Sequence, residues 1–140
     1  MIDQKLTKEK LKKIEDYYEK LNELLEEPIE TILENFKSYF AIERAFILIV
    51  DEMIDINTHF VQKLNLNLPD DFQSMFIALG ENNILPAKFA EKIAPVVGLR
   101  NRLVHRYEEI NRRMAIELIQ KEKGDFREYV KFISQYLEKI

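Results

Sequence analysis

The chain reads as all-α, an up-and-down bundle of four to five helices. Apolar residues recur at helical spacing along most of its length, and no stretch alternates with the period of two that a half-buried strand requires. Only three glycines and four prolines punctuate 140 residues, so turns are few and helices long. The apolar share of 46% is that of an ordinary globular protein, sufficient for a core without disulfide or metal staples.

Residues 5–26 form the first expected helix. Leu6, Leu11, Ile14, Tyr17 or Tyr18, Leu21, Leu24 and Leu25 give its stripe, and lysines and glutamates fill the solvated face. Pro28 ends it and opens the next, because proline suits a first helical turn. Residues 29–64 carry the strongest pattern. Ile42, Phe46, Ile49, Met53, Ile56, Phe60 and Leu64 recur in steps of three and four, and Ala45, Leu48, Val50, Ile54 and Val61 widen the arc. A helix apolar over so wide an arc lies centrally or touches two partners, so it is expected to form the core and contribute to a dimer interface. Asp51, Glu52 and Asp55 lie on this helix without His or Cys at ligand spacing, and a solvated acidic face is favoured over a metal site. His59 is taken as structural or surface.

The run Asn65-Leu66-Asn67-Leu68-Pro69 breaks the helix. Asp70 is the expected N-cap of a short helix from Phe72 to Leu79, closed by Gly80. After a turn at Asn82-Asn83, Pro86 opens a helix over 86–106, kinked or loosened at Pro95. Gly98 offers room for another backbone or a ligand. Residues 107–111 connect to a last helix, 111–138, with a break expected at Gly124.

At 140 residues the chain is expected to be one domain, 1–140. Cysteine is absent, so disulfides and thiolate metal sites are not available, which agrees with a reducing cytoplasm. No signal peptide is visible. The longest apolar run, Ala45 to Val50, is far short of a membrane span. A net charge of −4 argues against non-specific coating of nucleic acid, yet leaves room for a small basic site.

Such a site is present. Between positions 100 and 113 five arginines meet only two acids, Glu108 and Glu109. On a helix, Val96, Arg100, Leu103, Val104 and Tyr107 share one side. Asn101 and His105 form a row along its border, and Arg102 and Arg106 point away. Arg100 thus falls in an apolar stripe, where a guanidinium requires a partner. No phosphate-binding glycine loop, dinucleotide fingerprint, zinc-protease motif or Ser-His-Asp set is present.

The segment Gly-Leu-Arg-Asn-Arg-Leu-Val-His-Arg-Tyr, 98–107, contains Arg-x4-His-x-Tyr. It resembles the HepT toxins of the HEPN superfamily, and so do Ala41-Ile42-Glu43-Arg44-Ala45, Ile54-Asp55-Ile56-Asn57, Phe76-Ile77-Ala78-Leu79 and Asn83-Ile84-Leu85. The resemblance covers nearly the whole chain. It implies an HEPN-like fold and a homodimer with both motifs facing a shared cleft. It further implies a MntA-like nucleotidyltransferase antitoxin as partner and AMP addition at Tyr107.

Arg100 and His105 are the catalytic candidates for metal-independent cleavage of RNA, with Asn101 in support and Arg102 and Arg106 as phosphate contacts. Imidazole titrates near neutrality and can move the 2′-OH proton. An arginine fork neutralises charge that builds on the phosphate. One imidazole cannot serve as both acid and base in a single step, whereas a symmetric dimer supplies two. No metal, cofactor or membrane is implied, and a cytoplasmic location is expected. The alternative is a non-catalytic helical module that binds a nucleotide or an acidic protein partner. A plain structural bundle would need Arg100 salt-bridged within its own chain.

Overall fold

The structure, a computed structural model, describes residues 1–105 and 110–140. Among the described residues every regular element is helical: α1 (Gln4–Leu24), α2 (Ile29–Glu34), α3 (Phe36–Lys63), α4 (Phe72–Glu81), α5 (Ala87–Ile93), α6 (Val96–His105), α7 (Arg112–Glu122) and α8 (Gly124–Lys139). The bundle architecture is as expected. Three of the expected long helices are each divided in two, which raises the segment count.

Each division has a local cause. Asn35 adopts an extended backbone and its carboxamide accepts from the Lys37 and Ser38 amides, so it caps α3 and severs α2 from it. Pro95 has no N–H to give the preceding turn and stands between α5 and α6, where only three-residue turn bonds such as Gly98 N–H to the Pro95 carbonyl bridge the gap. Lys123 separates α7 from α8, at the expected position next to Gly124.

The N-cap of α4 is Asp71 rather than Asp70: its Oδ1 accepts from the Ser74 amide at 2.7 Å. Asp71 is the extended residue directly before α4, from which a side chain reaches the free amides of the first turn, and Asp70 is one position too early. Asn65 and Asn83 take left-handed backbone, with φ of 54° and 62°. The amides that follow, Leu66 and Ile84, return to the Val61 and Leu79 carbonyls at 3.0 Å, which closes α3 and α4.

α3 is the axis of the bundle. α1, α4 and α6 pack along it, α2 lies against it and α7, and α8 closes over α1. Ile42, Phe46, Ile49, Met53 and Phe60 are wholly buried. The flanking arc, Ala45, Val50, Ile54 and Val61, is buried as well. Most of its width is therefore filled from within one chain, and Leu48 is only half-buried. Two aromatic pairs link α3 to α8: Phe46 with Phe126 and Phe60 with Tyr136. In α1 the buried row is Thr7, Leu11, Ile14 and Leu21, and Leu6 faces solvent.

The close helix crossing is at Gly80, not Gly98. A Cβ on Gly80 would stand 2.7 Å from the Ala90 Cβ, while one on Gly98 would meet nothing within 4 Å. α4 and α5 can approach as they do only because position 80 has no side chain.

Candidate active site

α6 carries the site and lies on α3. Val96, Val97, Leu99 and Leu103 anchor it to the core, while Val104 is exposed instead of buried. Arg100 falls inside this apolar arc, but its guanidinium emerges at the edge, where it meets Asp51 of α3. Nε donates to Asp51 Oδ1 at 2.8 Å, and one terminal nitrogen donates to Asn101 Oδ1 at 3.1 Å. The two charged side chains retain 21% and 36% exposure, so the pair sits at the protein–water boundary. The partner that the sequence demanded for Arg100 is thus supplied by a residue taken for part of a solvated acidic face. The signal was available: a cation in an apolar stripe needs an acid on the helix it packs against, and α3 was the expected core helix.

The neighbouring acids are also committed. Lys10 Nζ reaches Glu52 at 3.2 Å and Asp55 at 3.0 Å. Burial works against the Lys10 charge, but hydrogen bonds to Asp55 and Glu52 outweigh it and hold the ammonium above its usual range. Among the described residues no group of three or more His, Asp or Glu side chains is arranged to hold a metal.

His105 is the last residue of α6 and is exposed, one turn beyond Asn101. Arg102 is exposed on another side of the helix. Arg106 and Tyr107 lie outside the described residues. The basic cluster is less uniform than its composition suggests. Arg100 is offset by Asp51, and Arg113 pairs with Glu30. The Arg112 guanidinium lies over the rings of Tyr39 and Phe40, at 4.8 and 5.6 Å from their centres. Along α3, Asp51 faces Arg100 while Tyr39 and Phe40, about three turns earlier, face Arg112.

His59 is structural. Its Nε2 accepts the Asp3 amide at 3.0 Å and its ring packs edge-on against Phe60. Burial, then the nearby Lys63 ammonium, lowers its pKa.

The family model for ribonuclease HepT-like proteins matches residues 14–133, from α1 through α8 and across the whole of α6. The chain belongs to this HepT-like family. The tRNA nuclease HepT of Aphanizomenon flos-aquae is 34% identical over 128 residues, covering 91% of this chain and 87% of that protein. The mRNA nuclease HepT of Shewanella oneidensis is 28% identical over 102 residues, 70% of this chain and 77% of the relative. The tri-AMPylated Shewanella oneidensis HEPN toxin, solved in complex with an MNT antitoxin, superposes with a TM-score of 0.86 at 21% identity. That alignment covers 96% of this chain and 99% of the toxin, and it shows a shared fold.

Proposed function

We propose that this HepT-like chain is the toxin of a toxin–antitoxin pair and cleaves RNA internally without a metal. The observation that carries the reading is the Arg100–Asn101–His105 set on α6, in a chain whose relatives are named as tRNA and mRNA nucleases.

In the reaction the ribose 2′-oxygen attacks the adjacent phosphorus as the bond to the 5′-oxygen of the next nucleotide breaks. His105 moves the proton at one of these oxygens. The Arg100 guanidinium, oriented by Asp51 and Asn101, balances charge on the phosphate oxygens. Arg102 and Arg106 bind flanking phosphates. Each chain contributes one such histidine, so the second proton transfer falls to the His105 of a second copy across a two-fold axis. Support for that assembly lies at the surface. Phe36, Phe40 and Met114 are 60%, 44% and 51% exposed, and the first two rings are 6.0 Å apart.

The Shewanella toxin solved with an MNT antitoxin is tri-AMPylated, which supports neutralisation by AMP addition in this chain. A MntA-like nucleotidyltransferase adds AMP to Tyr107, and the added phosphodiester charge and bulk exclude RNA. The proposed substrate is RNA, and the pair is proposed to act in the cytoplasm; no described helix is long and apolar enough to cross a membrane.

Expression of the chain alone should arrest bacterial growth. His105→Ala and Arg100→Ala should each restore it while the helical circular dichroism and melting profile stay close to wild type. Equal arrest by wild type and both folded variants removes the catalytic assignment.

A further inference from the structure

We propose that the hollow beside Asn101, between the start of α4 and α6, is a base-recognition pocket that selects a nucleobase carrying an exocyclic amino group. The inference rests on the ribonuclease reading and adds to it the place where substrate sequence is read.

The hollow has a volume of about 510 Å³, within the range of ~300–1,000 Å³ common to small-ligand sites. Leu68, Phe72 and Val97 wall it, and Asp70, Gln73 and Asn101 supply its polar groups. Asn101 is the residue after Arg100 and accepts from its guanidinium, so the hollow opens directly beside the phosphate-binding candidate. Two of its apolar side chains are unusually open, Leu68 at 71% and Phe72 at 46%. An exposed phenyl ring next to a phosphate site is the arrangement on which unpaired bases stack.

The polar groups decide what kind of occupant fits. Asp71 Oδ1 is taken by the Ser74 amide, and the hydrogen bonds it makes to Ser74 keep its carboxyl below the usual range. It is a helix cap and an anion, so the rim repels phosphate. Phosphate is attracted instead to Arg100 and Arg102. Asp70 and Gln73 remain to read the occupant. A carboxylate only accepts, and a carboxamide both accepts and donates, so the pair suits the amino group and adjacent ring nitrogen of adenine, cytosine or guanine. Uracil has no amino group. An apolar helix of a second copy would bury Asp70 and Gln73 without partners, whereas a base edge satisfies them.

Two measurements on the full chain test the assignment. In methyl NMR spectra, adenosine, cytidine and guanosine should each shift the Leu68 and Val97 methyls, with uridine binding at least about fivefold more weakly. Phe72→Ala should weaken the nucleosides that bind by about tenfold. No shift at these methyls, or equal binding of uridine, overturns the pocket. In the second measurement, cleavage ends mapped on a random RNA pool should show A, C or G favoured over U at one position beside the cut, and Asp70→Asn should flatten the preference. Cleavage with no such preference overturns the pocket and leaves the ribonuclease reading in place. Nucleosides seated at Leu68 and Val97 without any RNA cleavage support the pocket and remove the ribonuclease reading. A shift from dimer to monomer in Phe72→Ala, with no nucleoside effect, makes the hollow a subunit contact and overturns the proposal.

Discussion

Arg100 and Asp51 meet side-on, Nε to Oδ1 at 2.8 Å, across the α6–α3 contact. Because both side chains stay partly exposed, the ion pair adds under about 1 kcal/mol to stability. Its physical effect is orientation: with Nε fixed to Asp51 and one terminal nitrogen to Asn101, the guanidinium plane has little freedom left. A group oriented before substrate arrives stabilises a transition state without reorganising.

Asp51→Ala should therefore slow RNA cleavage by about tenfold or more, chiefly in kcat, since small misplacements of a catalytic group are costly. Its melting temperature should stay within a few degrees of wild type. Asp51→Asn keeps an oxygen acceptor at Nε and should retain kcat within about threefold, with a lower KM because a negative charge near the phosphate is gone. Undiminished turnover in the alanine variant would reduce the pair to a structural contact.

Cleavage should require the 2′-OH and proceed in EDTA. The products should end in a cyclic phosphate, which mass spectrometry of a short oligonucleotide reads directly. A single deoxy substitution at the scissile nucleotide should stop the cut there. Activity lost in EDTA and regained with magnesium would contradict the roles given to Arg100 and His105.

Stability should fall on mild acidification through His59. Burial and Lys63 hold its folded-state pKa below the ordinary 6.5, with Asp3 opposing them only in part. The unfolded chain therefore takes up this proton first. The contribution of His59 is complete above pH 6.5, declines as pH falls below it, and levels off beneath the folded value. Protonation also removes the lone pair that accepts the Asp3 amide at the start of α1. Wild type should melt at a lower temperature at pH 5.5 than at 7.5, and His59→Gln should show a smaller difference. Identical pH dependence in both proteins would contradict this account.

The two glycines should respond oppositely to alanine. Gly80→Ala drives a methyl into Ala90 at 2.7 Å and should cost about 1–3 kcal/mol. Gly98→Ala points into open space on a helix with no positive φ, and should be neutral or stabilising by up to about 1 kcal/mol. Urea unfolding midpoints of the two variants decide it, and a Gly80 variant as stable as wild type would mean that α4 and α5 can separate.

The sequence alone determined the helical class, the five periodic stretches, the turns at Asn65 and Asn83, and the central place of residues 42–60. Periodicity and backbone preference are local properties, and the burial of Ile42, Phe46, Ile49, Met53 and Phe60 follows from them. It also placed Arg100, Asn101 and His105 on one helix, because residues four or five apart have fixed angular relations whatever the rest of the chain does. Which side chains those residues meet was not local. Asp51 lies 49 positions from Arg100, and an acid on an exposed-looking face cannot be told from one that faces another helix until the helices are docked. The hollow lined by Leu68, Phe72 and Asn101 depends on how the loop before α4 crosses α6, and the tight α4–α5 approach at Gly80 on which two faces meet. Tertiary packing chose those partners, because contact between distant segments depends on the mutual angle and depth of whole helices rather than on any residue's own preference.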